Sequence, residues 1–529
     1  LKREDLIAPE KYNAVDEIEK FNAFPNKTAL IWEDESGRTA SWTYQTLIDK
    51  TNRIAGVLAD SGLQKGDKLI VMMPRVLETY AVYMAILKAG MVVIPCSEML
   101  RAKDLDYRIE HAGVKGAVIY SSFIDSIEGV QSKEKLKTFS VGENEAGWPD
   151  LLKEMETGNG ASFQAAETSR DDIAFLSYTS GTTGQPKGVV HTHGWAYAHL
   201  RTTASAWLDI KEDDLVWATA GPGWQKWLWS PFLAVLGSGA TGFVYHGKFD
   251  PETYLSLMER YRINVLCCTP TEYRFMAKVN DLSGWDLSSI HSAVSAGEPL
   301  NREVIDAFKK HVNVEVRDGY GQTENTLLVG VLKGMKVKPG SMGKPTPGNI
   351  VEIINEDGGI CEPGETGDIA VHISTPALFK EYYNDPERTL LQRRGDYFIT
   401  GDKASKDEEG YFWFESRNDD IIISSGYTIG PFEVEDALIK HPRVKECAVV
   451  ASPDEIRGAI VKAYVVLKDC SGDQSLVKEL QNHVKALTAP YKYPREIEFI
   501  DQLPKTPSAK IKRFELRKRE LARKTERNR

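Results

Sequence analysis

Hydroxyls, glycines and one lysine crowd into Thr179-Ser180-Gly181-Thr182-Thr183-Gly184-Gln185-Pro186-Lys187-Gly188, directly after an apolar, strand-like run over 173–177. Glycines let a backbone approach an anion, hydroxyls and N–H groups donate to it, and lysine supplies charge, so the run has the composition of a phosphate-binding loop. Composition alone leaves a solvated turn equally open. The run is not a Walker A loop, in which glycine and lysine are adjacent, because Gln185 and Pro186 separate Gly184 from Lys187. Two more short loops, Ser295-Ala296-Gly297-Glu298-Pro299 and Asp318-Gly319-Tyr320-Gly321-Gln322-Thr323-Glu324, each follow a stretch that reads as parallel strand. Loops at strand carboxyl ends form the binding crevice of open α/β sheets. Their small residues could clasp a flat base, and Glu324 could hold a hard cation. Two structural turns are the other reading.

Two apparent motifs fail on context. Gly237-Ser238-Gly239-Ala240-Thr241-Gly242 matches GxGxxG but follows a helical run and precedes a strand, the reverse of the dinucleotide-binding order. His191 and His193 could be half a metal site, yet no further ligands have suitable spacing, so packed, hydrogen-bonded histidines are expected.

The elements that must position these loops alternate. Strands are predicted over 69–73, 92–95 and 116–120, with helices over 76–88 and 102–111 between them. A second series places strands near 215–219, 240–245, 265–269, 290–295 and 314–317, with helices over 251–261 and 299–310. Two doubly wound α/β subdomains result. From about residue 339 the pattern changes to short strands broken by Pro-Gly and Asp-Gly turns, which predicts an antiparallel sheet or small β-barrel-like subdomain reaching 418. The domains expected are a large N-terminal one, 1–418, and a small, mobile α+β C-terminal one, 419–529.

At 529 residues the chain has room for roughly two to four domains of ~100–200 residues. With 66 bases against 76 acids the net charge is −10, so the surface as a whole does not advertise nucleic acid or anionic membrane as a partner. Residues 227–247 are uncharged but interrupted by Pro231, Gly237, Gly239 and Gly242, which predicts a buried helix, turn and strand rather than a membrane span. The six cysteines show no CxxC spacing, and the adjacent pair Cys267 and Cys268 would face opposite sides of a strand. Reduced thiols in a cytoplasm are the expectation. The first residues show neither the apolar stretch of a signal peptide nor the acid-poor character of a transit segment.

Six motifs in order, Tyr178 to Gly188, Ser295 to Pro299, Tyr320 to Glu324, Thr400-Gly401-Asp402, Arg417 to Gly430 and Pro504 to Lys510, make nearly the whole chain resemble the adenylate-forming superfamily. That superfamily includes AMP-forming acyl-CoA synthetases, peptide-synthetase adenylation domains and luciferases. Ser424 to Pro431, Ala489 to Pro494 and Leu503 to Thr506 are most similar to medium-chain acyl-CoA synthetases and their short and branched-chain relatives.

The resemblance implies ATP, Mg2+ and coenzyme A as cofactors and roles for particular residues. Thr179, Ser180, Gly181, Thr182, Thr183, Gly184 and Lys187 would wrap the triphosphate, with Thr179 and Glu324 assisting Mg2+. Gly297, Glu298 and Pro299, with Asp318, Gly319, Tyr320, Gly321, Gln322 and Thr323, would frame adenine. Asp402 would bind the ribose hydroxyls with Arg417 nearby, and Lys510 would meet the α-phosphate and the carboxylate. Asp419 would be the hinge, and Ser425, Gly426, Tyr427 and Arg457 would line the CoA path. Three residues depart from the usual pattern: Thr428 stands where many relatives carry a basic residue, and Ser416 and Ala509 stand where glycine is usual.

The implied activity is acyl-CoA ligation of a short, branched or medium-chain acid. An enzyme that loads a carrier protein and a non-catalytic nucleotide-binding relative are the alternatives. Trp224 and Trp227, with Gly319 and Tyr320, are the expected acyl pocket; an aromatic cluster at such spacing is as often plain core. The last 25 residues hold 11 bases and 3 acids, a net +8, and are expected to form a solvated helix over 514–524 with charge facing phosphate. The partners are thus a small carboxylic acid, ATP and CoA, with no nucleic acid and no membrane insertion; the oligomeric state is open between monomer and homodimer.

Overall fold

Residues 1–157, 163–179, 185–297, 300, 302–417, 420, 422–468, 472–504, 511 and 513–527 are described in the computed structural model. The chain divides into two compact units, one of residues 1–98, 102–178 and 188–415, the other of residues 99–101, 179–187 and 416–529.

The larger unit is built on two sheets. A seven-stranded sheet runs in the order Glu381–Tyr382, Lys187–Thr192, Ile173–Thr179, Val92–Pro95, Lys68–Met72, Gly116–Tyr120, Lys137–Val141. The pairs from Ile173–Thr179 to Lys137–Val141 are parallel. A nine-stranded sheet runs Lys344–Pro345, Leu327–Gly330, Val316–Gly321, Ser292–Ala296, Val265–Cys268, Leu215–Ala218, Thr241–His246, Thr28–Asp34, Thr39–Thr43. Its six central strands are parallel and its edges antiparallel. These are the two doubly wound sheets that the alternation of strand and helix predicts.

Helix Leu77–Lys88 is buried at every position but Glu78. A helix apolar all round must be covered all round. The core that holds it draws Leu69, Val71 and Val93 from one sheet and Val216, Val265 and Cys267 from the other. Its terminal Lys88 is buried too, and donates to Asn52 Oδ1 at 2.6 Å while pairing with Glu19. The opposite face of the nine-stranded sheet carries a second core containing Leu266 and Cys268. The adjacent cysteines therefore do face opposite sides, and both are free thiols.

Local signals set several boundaries. Helix Pro251–Tyr261 starts on Asp250, whose carboxylate accepts from Thr253 N–H at 2.8 Å, and stops at left-handed Arg262. The run 227–247 forms helical turns through Gly237 and then strand Thr241–His246. Among the described residues no helix is long and apolar enough to cross a membrane. The Pro-Gly and Asp-Gly punctuation yields an antiparallel sheet of Val351–Ile354, Gly367–His372, Tyr397–Lys406, Arg393–Arg394 and Phe412–Arg417.

The smaller unit carries a hairpin, Ile422–Ser424 with Tyr427–Ile429, and a three-stranded sheet, Val444–Asp454, Gly458–Leu467 and Glu496–Phe499. The basic tail corrects the expectation of a solvated helix. Helix Arg513–Arg527 packs on this sheet with Leu516 and Glu520 buried. Lys462 Nζ donates to Glu520 and Glu498 at 2.7 Å each, and Ser452 Oγ and Tyr464 OH donate to Glu520. Arg513 forks onto Glu435, and Arg519 and Arg523 pair with Glu498. The tail's bases answer acids on other elements, a match that a local count of charge does not register.

Removing Glu520 leaves the buried Lys462 paired with Glu498 but takes the acceptor from Ser452 and Tyr464, and each buried donor left without a partner costs about 1–3 kcal/mol. Glu520→Ala should therefore strongly destabilise the smaller unit, read by hydrogen exchange of strand Gly458–Leu467 in urea. A loss below about 1 kcal/mol, the ordinary value of exposed pairs, would show that surface charges alone hold the helix.

Candidate active site

The loop after strand Val316–Gly321 and the motif at Asp402 meet. Asp402 lies in strand Tyr397–Lys406 and is 2% exposed. Its Oδ2 accepts from Tyr320 OH at 2.6 Å and from Gln322 Nε2 at 2.8 Å, and the same amide donates to the Thr400 carbonyl at 3.0 Å. A carboxylate with two donors on one oxygen is fixed in orientation. Gly401, at φ +83°, makes the local bend that only glycine adopts without strain.

Glu324 stands in the turn between strands Val316–Gly321 and Leu327–Gly330 and is buried. Its Oε1 accepts from Tyr382 OH at 2.8 Å and its carbonyl accepts from Phe379 N at 2.7 Å. Burial and the Glu324 charge both push the Tyr382 hydroxyl far up, so it stays a donor. The turn closes on itself through Gln322 N to Asn325 Oδ1 at 2.8 Å. A Cβ at Gly321 would stand 2.1 Å from the Thr326 carbonyl, so this position needs glycine.

Behind the turn, three rings stack. His191 lies on Trp195 with centroids 4.2 Å apart, and Trp195 on His199 at 4.9 Å. His191 Nε2 meets the Thr323 carbonyl at 2.6 Å, and Trp195 Nε1 donates to the Asn325 carbonyl at 3.0 Å. His199 Nε2 meets the Trp229 carbonyl at 3.0 Å, which makes Nε2 the protonated nitrogen and Nδ1 the acceptor of Thr326 Oγ1–H at 2.7 Å. Burial lowers His191 to about 3 and His193 and His199 to about 4, so all three are neutral. His193 Nδ1 accepts from Ala14 N at 3.0 Å. These are hydrogen-bonded core histidines, as expected, and among the described residues no three His, Cys, Asp or Glu gather as a metal site.

In the smaller unit, Ser425 (φ +51°) and Gly426 (φ +80°) are both left-handed and turn the hairpin from Ser424 to Tyr427. Serine in that conformation costs roughly 1–2 kcal/mol. Arg457 holds it from both sides: Ser425 N donates to the Arg457 carbonyl and Arg457 Nη1 donates to Ser425 Oγ, each at 3.1 Å. Tyr427 stacks on Tyr491 at 4.4 Å, and burial followed by the nearby Arg495 lowers Arg457.

The sequence pattern of the AMP-binding enzyme family matches residues 18–383, and that of the AMP-binding enzyme C-terminal domain matches residues 433–510. The chain belongs to the AMP-binding enzyme family. Over 521 residues it is 74% identical to the uncharacterized acyl-CoA ligase YtcI of Bacillus subtilis (strain 168), covering 98% of each chain. It is 40% identical over 530 residues to the mitochondrial acyl-coenzyme A synthetase ACSM3 of Rattus norvegicus, covering 97% of this chain and 91% of that one. The crystal structure of an acyl-CoA synthetase from Brucella canis is similar with a TM-score of 0.72 and 31% identity, over 98% of this chain and 96% of that one.

Of the site residues expected from the sequence, the structure brings Tyr320, Gln322 and Asp402 together. Thr179 closes strand Ile173–Thr179 and Lys187 opens the next. Ser180, Gly181, Thr182, Thr183, Gly184, Glu298, Pro299, Asp419 and Lys510 lie outside the described residues, and Arg417 and Thr428 are described by backbone alone. Gly297, at φ +108°, has open space where a Cβ would sit.

Trp227 belongs to the core: it is 2% exposed, stacks on Phe232 at 5.3 Å and packs on Tyr80 and Tyr83. Trp224 is half-buried. The ring stack was missed by motif reading; its only trace in the sequence is the four-residue spacing of His191, Trp195 and His199, which places the latter two on one helix face.

Asp318 supplies a pH test. Its carboxyl is buried, which pushes it up to about 7 from an ordinary 3.8 despite the Gly319 N–H that donates to Oδ1 at 2.8 Å. Between those values the folded chain binds more protons than the unfolded one, so this group's contribution to stability falls as pH rises from about 4 through about 7. Asp318→Asn keeps the acceptor and removes the titration. Thermal unfolding from pH 4 to 8 should fall less steeply in the variant, and parallel curves would refute the burial of an ionisable group here.

Proposed function

We propose that the chain is an AMP-forming acyl-CoA ligase acting on a short, branched or medium-chain carboxylic acid. The observation that carries this reading is the meeting of Tyr320 and Gln322 with Asp402, in a chain aligned over nearly its full length with proteins named acyl-CoA ligase or synthetase. Among the described residues Cys96, Cys267, Cys268, Cys361 and Cys447 are buried free thiols, which supports a cytoplasmic setting.

The chemistry follows from leaving groups. A carboxylate does not accept a thiol until one of its oxygens can be expelled. Its oxygen attacks the α-phosphorus of ATP and pyrophosphate departs; the thiol sulfur of CoA then attacks the acyl carbon of the adenylate and AMP departs. Asp402 accepts from the ribose hydroxyls, and Tyr320 and Gln322 hold it for that task. Gly297 to Pro299 and Asp318 to Thr323 frame the base, and Thr179 to Lys187 wrap the phosphates.

The donor set fits Mg2+. A buried carboxylate at Glu324 and a hydroxyl at Thr179 are hard oxygens, and Mg2+ commonly takes one or two carboxylates with substrate phosphates instead of a protein cage. When bound, it neutralises charge building on the phosphates. Lys510 stabilises the same charge during adenylation. The domains 1–418 and 419–529 rotate about Asp419 between the two steps, and Ser425, Gly426, Tyr427 and Arg457 then line the CoA path. Trp224, with Gly319 and Tyr320, shapes the acyl slot, with the buried Trp227 behind it.

A panel of acids, assayed with and without CoA, should release pyrophosphate and give AMP and acyl-CoA in equal amounts. ADP and phosphate as stoichiometric products would overturn the proposal.

Lys510→Ala should slow adenylate formation by on the order of 10² to 10³, the usual effect of losing one transition-state donor. Supplied with pre-made acyl-adenylate and CoA, the variant should form thioester near the parent rate. Equal impairment of both half-reactions would show that one fixed arrangement serves both.

A further inference from the structure

Buried polar heterocycles are costly unless their ring nitrogens find partners. His191, Trp195 and His199 are at most 1% exposed, positions that leucine or phenylalanine could fill without a polar cost. The carbonyls that two of these rings engage belong to Thr323 and Asn325, the residues on either side of Glu324. The third ring takes the hydroxyl of Thr326 and ties it, through the Trp229 carbonyl, to the next helical segment. The Glu324 carbonyl itself is held from another direction by Phe379 N. The turn is thus clamped on both flanks of one residue, by rings that cannot slide because each is stacked on its neighbour.

We propose that His191, Trp195 and His199 are positioning residues that set the place of the Glu324 carboxylate. The inference rests on the reading of Glu324 as an Mg2+ ligand given above. The rings do not touch substrate. They fix the main chain at Thr323 and Asn325, so the side chain between them has one place to stand while Tyr382 fixes its far end.

The test is a double-mutant cycle read by calorimetric binding of ATP in the presence of Mg2+ to the full chain. His191→Leu should weaken binding on the order of tenfold, and His191→Gln, whose amide can donate to the Thr323 carbonyl, should recover most of that loss. In a Glu324→Gln background His191→Leu should cost less than about threefold, because a residue acting through Glu324 has nothing left to position. An equal loss in both backgrounds would overturn the proposal. Unchanged binding in Glu324→Gln alone would instead overturn the role given to Glu324. If His191→Leu does not fold, Trp195→Phe carries the same cycle, since it keeps an aromatic ring in the stack and removes the N–H to the Asn325 carbonyl.

Discussion

A helix buried on all sides dictates the larger unit. Leu77–Lys88 presents apolar side chains around its circumference, and a single sheet can cover only one of its faces. Two mainly parallel sheets therefore contribute residues to one shared core around it. Parallel sheets need both faces covered, and the second core, with Leu266 and Cys268, does this for the nine-stranded sheet. Lys88 ends the helix inside the protein and is tolerated because Glu19 and Asn52 meet its charge.

With the sheets fixed in this way, the carboxyl ends of neighbouring strands lie side by side, and loops far apart in sequence share an edge. Ser292–Ala296 pairs with Val316–Gly321, so Gly297 and the Asp318–Glu324 segment are neighbours by construction. Two carboxyl groups on or near this edge live in different surroundings. Asp402 takes two side-chain donors on one oxygen, whereas Asp318 is buried, accepts from the Gly319 and Leu300 backbone and is still pushed up to about 7 by burial. The first is oriented by the side chains of Tyr320 and Gln322; burial disfavours the charge of the second.

The smaller unit solves a different problem. Its sheet has only three strands, so helix Arg513–Arg527 supplies cover, with Leu516 in the core and Glu520 joined to Lys462, Tyr464 and Ser452. The charge network gives that helix a register that apolar contact alone would leave loose. The left-handed Ser425 is an unfavourable conformation kept in place by Arg457.

The sequence by itself determined what depends on neighbours along the chain. The alternation of strand and helix, the Asp250 cap before Pro251, the Pro-Gly turns after residue 339 and the six ordered motifs are local patterns, and they carried both the fold class and the family. The opposite facing of Cys267 and Cys268 follows from the two-residue period of a strand. Only the tertiary structure decided which aromatics are core and which acids meet which bases. Trp224 and Trp227 are alike in sequence, yet Phe232, Tyr80 and Tyr83 enclose one and leave the other half-buried. The basic tail reads as solvated because its acidic partners, Glu435 and Glu498, lie 78 and 25 residues from the arginines they hold. The ring stack behind Glu324 was illegible for the same reason, since His191 and Thr323 are 132 residues apart and a hydrogen bond between them exists only once two sheets have packed on one helix.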